Sequence, residues 1–143
     1  MVAVLLYTVI TLTNKLIRAE INNQMSTRCN ILVRDGEEEL WFYRHSDGYP
    51  EGAMPLLQEF MEYVKSGAIR DNISQASGWL VYLGAKEYGL HDPDKIDGFS
   101  GWKVGSIEPT TGQHGDIEYL YVIDLDKKTI TIKDLYEEKE QNT

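Results

Sequence analysis

The sequence predicts an α+β domain: a mainly antiparallel sheet, in the order β-β-α-α-β-β-β, with two helices on one face. Three observations point there. Strand and helix patterns come in blocks rather than in alternation. An Asp35-Gly36 step joins the first two apolar runs, which is a hairpin signal. Residues 117–125 alternate over nine positions, the best strand pattern in the chain.

The first strand is read from Ile31, Leu32 and Val33, and the second from Leu40, Trp41, Phe42 and Tyr43. Three glutamates follow Gly36, so the connecting loop is expected to be longer than the tightest hairpin type. Pro55 suits the first turn of a helix whose Leu56, Leu57, Phe60, Met61 and Val64 form one stripe, with Gly67 as the stop. Asp71 or Asn72 can cap a second helix carrying Ile73, Ala76, Leu80 and Leu83 on one face, ended by Gly89. Gly78 interrupts that helix beside Trp79: it either admits another element closely or weakens the helix. Residues 91–100 and 108–115 have loop composition, and residues 102–107 between them read as a strand. In the strand over 117–125, Ile117, Tyr119, Tyr121, Ile123 and Leu125 share a face. Leu120 and Val122 on the other face suggest cover on both sides. A last strand over 129–133 points Ile130 and Ile132 inward.

The chain divides into a single domain over 25–136, an acidic frayed tail over 137–143, and an N-terminal stretch of 24 residues. Residues 1–12 are apolar but too short to span a bilayer, and they lack a basic start and a small-residue cleavage site. Residues 1–24 are either an extension or leader upstream of the core, or an extra element laid on it. Met25 opens a phrase that reads as a natural chain start.

The chain has 143 residues and a formal net charge of −9. That charge argues against direct nucleic-acid binding, which calls for clustered Lys and Arg. An acidic surface fits solubility, a basic protein partner, or mimicry of nucleic-acid charge. Cys29 is alone, which rules out an intrachain disulfide and suits a reducing compartment. Its position at a strand start is that of a small core residue.

Chemistry concentrates in two places. His45-Ser46-Asp47 and His114-Gly115-Asp116 each set an imidazole two residues from a carboxylate, on one side of extended backbone. The first motif lies where the second strand exits and the second where the long strand begins. If those strands run antiparallel, the two loops converge at one edge, with Arg44, Tyr49 and Glu118 nearby. Such a cluster has three uses. His45, Asp47, His114 and Asp116 can ligate a divalent metal, although no cofactor is required by the sequence. A His oriented by a carboxylate can move protons. Arg44 with the histidines can hold a phosphate or carboxylate while Tyr49 supplies a stacking face. Against all three stands plain turn chemistry, since Asp47-Gly48 and Gly115-Asp116 are turn dipeptides whose Asp side chains bond nearby backbone. His91, Asp92 and Asp94 form a further acidic loop, read as solvated. The aromatics Trp41, Phe42, Trp79, Trp102, Tyr119 and Tyr121 are assigned to the core. No nucleophile elbow, Cys-pair zinc spacing or dinucleotide fingerprint is present, and neither glycine-rich loop opens a helix.

From Met25 onward the chain resembles a family of short, largely uncharacterised proteins encoded by bacteriophages and mobile elements. The matching phrases are Ser26-Thr27-Arg28-Cys29-Asn30, residues 42–52 (FYRHSDGYPEG), Gln75-Ala76-Ser77-Gly78-Trp79, and residues 114–125 (HGDIEYLYVIDL). The resemblance covers most of residues 25–135 and brings no catalytic residues with it. It implies a small protein acting in the cytoplasm of a bacterial host cell. Two functions follow. One is an acidic accessory protein that works by binding a host protein, for example by inhibiting a nuclease or defence component. The other is a metal- or nucleotide-binding protein, or a phosphodiester hydrolase, built on the two His-x-Asp loops. The sequence leans away from an enzyme.

Overall fold

A computed structural model describes residues 9–14, 16, 27–87, 89 and 106–137. Five strands and two long helices form an α+β fold in the order β1 (Cys29–Asp35), β2 (Glu38–Arg44), α1 (Pro50–Ser66), α2 (Ile73–Glu87), β3 (Glu108–Thr110), β4 (Tyr119–Asp124) and β5 (Thr129–Asp134). The sheet has the order β3-β2-β1-β4-β5. It is mixed: β1 runs parallel to β4, while β1–β2, β2–β3 and β4–β5 are antiparallel. The sheet is mainly antiparallel, as expected, with the central β1–β4 pair parallel. The chain between β2 and β4 holds both helices, which gives it the length a parallel return requires.

One face of the sheet meets the helices. Cys29, Ile31 and Val33 of β1, Phe42 of β2 and Tyr119, Tyr121 and Ile123 of β4 join the buried stripes of α1 and α2 in a single core. The opposite face carries a smaller cluster of Leu32, Tyr43, Ile117 and Leu120, with Trp41, Val122 and Leu135 packed against it. Ile117 therefore leaves the face it was expected to share with Tyr119 and Tyr121. β4 begins only at Tyr119, so the strand alternation does not extend back to it.

Several local features depart from the sequence reading. The hairpin is tight, because Asp35 pairs with Glu38 and only Gly36 and Glu37 remain in the loop. Gly36 has φ 60, the sign that a two-residue turn of the II′ kind needs at its first position. α1 starts a turn before Pro55. Pro50 occupies its first turn, and the amides of Gly52 and Ala53 both donate to the Tyr49 carbonyl. Pro55 is then interior, and loses only the one bond its missing N–H would have made. In α2, Asn72 is the capping residue, its Oδ1 accepting from Ser74 N (3.1 Å) and Gln75 N (3.3 Å). Gly67 and Gly89 follow the two helices with positive φ.

β3 falls within the stretch read as a loop. It is a three-residue edge strand containing Pro109, tolerated because an edge strand need not donate on its outer side. The strand expected over 102–107 lies mostly outside the described residues, as do the 91–100 loop, Trp102 and the tail beyond Glu137. Of the N-terminal stretch, residues 9–14 and 16 are helical, with Val9, Ile10, Leu12 and Leu16 exposed. In β5, Ile130 packs against the core but Ile132 is exposed, since the strand forms the sheet's second edge.

Cys29 sits at the centre of this arrangement with no exposed surface. Burial pushes its thiol from the ordinary 9.0 up to about 12, opposed in part by the Arg44 charge. The folded chain keeps this proton where the unfolded chain releases it, so the thiol's contribution to stability is lost as pH rises from about 9 towards 12. A thiol reagent at pH 8 is therefore expected to leave Cys29 unmodified in the native protein and to label it at the rate of unfolding in denaturant. Rapid stoichiometric labelling without denaturant would contradict this placement.

Candidate functional site

The parallel β1–β4 pairing makes β2 and β4 antiparallel to each other, with β1 between them. The exit of β2 and the start of β4 therefore share one end of the sheet, and the two His-x-Asp motifs meet there. Tyr43, on the face away from the helices, lies between the two imidazoles. Its ring stacks on His114 at 4.0 Å and meets His45 edge-on at 4.5 Å. The Tyr43 hydroxyl donates to Asp116 Oδ2 (2.9 Å), which also lies 3.4 Å from Arg28 Nε. Burial, then the bond to Asp116, push the phenol up to about 12, so Tyr43 is a neutral donor at neutral pH.

Each imidazole already has a partner. His45 Nε2 lies 2.9 Å from Glu108 Oε1, and His114 Nε2 lies 2.7 Å from Thr110 Oγ1. Both partners come from β3, which register places beside Tyr43 and Trp41. Asn30 fastens the group from below: its Nδ2 donates to the Phe42 carbonyl (2.8 Å) and its Oδ1 accepts from His114 N (2.7 Å). Glu108 and Thr110 thus belong to the cluster although their sequence positions gave no functional signal, and Tyr43 and Asn30 join them. Buried Asn30 in an apolar strand was the one legible clue, since such a side chain must find partners.

The other residues grouped with the histidines lie elsewhere. Asp47 is exposed in a turn with φ 55, and its short side chain suits that conformation. The loop is pinned at its neighbour: Gly48 N donates to the Thr27 carbonyl (2.9 Å), and Tyr121 donates to the Gly48 carbonyl (2.7 Å). A Cβ at Gly48 would stand 2.9 Å from the Cys29 nitrogen, so only glycine lets the loop lie this close to β1. Tyr49 is half-buried against the main core at the start of α1 and offers no open stacking face beside the histidines.

Arg44 points to the helix side and is only 1% exposed. Its Nη atoms fork onto Glu87 at 2.8 and 3.0 Å. Nε donates to the Ser46 carbonyl (3.0 Å), one Nη to the Gly52 carbonyl (3.2 Å) and the other to Ser106 Oγ (3.4 Å). All five donors of the guanidinium are thereby committed. The anion clamp read for Arg44 is corrected: its charge is consumed inside the fold.

The metal set read as His45, Asp47, His114 and Asp116 is not assembled. Among the described residues no group of three or more His, Cys, Asp or Glu side chains is placed to hold a metal ion. Both rings pack on Tyr43, and each Nε2 is engaged. Chemically the cluster is a stack of aromatic rings tied at its margins by carboxylates, with His45 and Glu108 at its exposed edge.

A second surface was not anticipated. Trp79, Tyr82 and Tyr63 are 47%, 44% and 37% exposed. Trp79 and Tyr82 meet edge-on at 5.5 Å, and with Tyr63, Ala68, Ile69, Leu83 and Lys86 they line a hollow of about 180 Å³ between α1 and α2. The assignment of Trp79 to the core is thus corrected, because its position on α2 lies off the stripe of Ile73, Ala76, Leu80 and Leu83.

Comparison of the chain with protein-family models, with curated proteins and with solved structures gave no match. Among the described residues no helix is long and apolar enough to cross a membrane.

Removing Glu87 strands a buried guanidinium, so Glu87→Ala is expected to cost about 3 kcal/mol or more in chemical denaturation. Arg44→Met is expected to cost less when Glu87→Met is already present. Equal costs in the two backgrounds would show that the pair is not coupled.

Proposed function

We propose that the protein acts by binding, presenting an acidic end of its sheet to a basic surface of a host protein such as a nuclease or defence component. One juxtaposition supports this reading. Parallel pairing sets Asp124 opposite Arg34, and Leu125 N donates to the Arg34 carbonyl (2.8 Å). The β1–β2 hairpin and the β4–β5 turn therefore end side by side. Residues 34–39 and 124–128 together hold six carboxylates (Asp35, Glu37, Glu38, Glu39, Asp124, Asp126) against three basic groups (Arg34, Lys127, Lys128). Glu39 is paired with Arg34 at 3.0 Å, and Asp124 caps the turn through Lys127 N. Six carboxylates against three basic groups leave the rim with an excess of three negative charges. Such a rim attracts a basic partner over a Debye length and weakens as salt rises.

The test is affinity capture from host lysate at low salt with the native chain and with a Glu37→Gln, Glu38→Gln, Asp126→Asn variant. A basic protein held by the first, lost by the second, and released by salt is the expected result. Equal retention by both chains, or partners with no basic surface, would count against the reading.

A second reading rests on the convergence of His45 and His114 around Tyr43. In it the stack takes a small ligand, for example a nucleotide whose base extends the ring stack and whose phosphate meets the exposed edge of His45. Isothermal titration with nucleotides and divalent metals should then give heat that His45→Ala and His114→Ala both abolish while the circular dichroism is kept. No heat with any of them would dispose of it.

A further inference from the structure

We infer that α2 is the seam of a two-fold homodimer, in which the helix packs antiparallel against its copy across Gly78 and Trp79. Gly78 lies inside α2, has no positive φ, and a Cβ there would meet nothing within 4 Å among the described residues. The other glycine of this helix, Gly84, is pressed against Ser106 and Ile107, where a Cβ would stand 2.8 Å from Ser106 Oγ. Among the described residues Gly78 has no such contact, yet it costs a helix interior about 1 kcal/mol relative to Ala. Its bare backbone leaves that space open to something outside the monomer.

The surroundings specify what. The exposed face of α2 runs through Gln75, Gly78, Trp79, Tyr82 and Lys86, and it carries no carboxylate before Glu87. In a chain of net charge −9 this is a strip where two copies approach without setting acid against acid. An antiparallel register centred between Gly78 and Trp79 is complementary to itself. Trp79 of each copy faces Gly78 of the other, a large side chain over a bare backbone. Tyr82 faces Gln75, an aromatic against an amide. Lys86 faces Asp71, which sits just ahead of α2 with its side chain 60% exposed, bridged to Lys128 only at 3.5 Å. Each pair recurs on the other side of the axis, as an isologous contact requires. One 15-residue helix against its copy buries a small area, so the dimer forms and dissociates with concentration rather than being permanent. It would carry the acidic rims in duplicate.

Sedimentation velocity of the full chain over a concentration series tests the proposal. A reversible monomer–dimer equilibrium is expected, with Trp79 emission shifting to shorter wavelength as dimer forms. Trp79→Ala should weaken association by roughly 30-fold, the size of one interface hot spot. Gly78→Ala should raise the melting temperature measured in dilute, monomeric protein yet weaken the dimer, an opposition that a purely structural glycine would not give. Asp71→Lys should weaken the dimer, and Asp71→Lys combined with Lys86→Asp should restore it. A monomer at all concentrations would overturn the proposal. So would an oligomer that survives Trp79→Ala and Asp71→Lys, since its contact would lie elsewhere.

Discussion

The fold depends on a buried guanidinium. Arg44 closes β2, and its donors reach the loop after that strand, the first turn of α1, the last turn of α2 and the residue that leads toward β3. Four parts of the chain, widely separated in sequence, are held by one side chain. Burying an unpaired charge is prohibitive, so the geometry is close to all-or-none: either every donor is met or the group must return to water. Hydrophobic contact between helices and sheet can slide, but a five-donor fork cannot. The position of α2 on the sheet is fixed more sharply than its apolar stripe alone would achieve, and Ser106, which also donates to Glu87, is fixed with it.

A second constraint is the parallel pairing of β1 with β4. It decides which loops are neighbours. At one end of the sheet it gathers Tyr43, His45, His114 and Asp116; at the other it sets the hairpin beside the β4–β5 turn. The two ends differ in kind. The first is knitted by direct hydrogen bonds and ring contacts, while the second is a rim of carboxylates meeting solvent.

Much of this was legible in the sequence. Period and punctuation gave the α+β class, the stripes of both helices, a cap at Asp71 or Asn72 and the inward residues of β4, because those are local properties. The convergence of the two histidine loops followed from a conditional argument about strand direction, and the structure supplies that direction. What stayed hidden was non-local. Alternation puts Arg44 on the face opposite Tyr43 and His45, but nothing in that phrase says which face meets the helices, so it does not show that Arg44 enters the helix layer. The partner that neutralises Arg44 is Glu87, which no local pattern connects to it. Trp79 was misread because aromatic residues are assigned inward by habit, whereas the helical period places it away from the buried stripe. The edge strand β3 escaped notice because proline and threonine in three residues look like a turn until a neighbour pairs with them.

The two borders of the sheet are unequal. On the β3 side the outermost strand is three residues long and contains a proline, so it offers a newcomer few backbone groups to bond. On the β5 side six residues, Thr129–Asp134, form the border, with Ile132 turned to water and Lys133 as the charged deterrent. Any growth of this sheet by templating, whether from a foreign peptide or from another unfolded chain, therefore has a polarity built into it: it would extend from β5 outward.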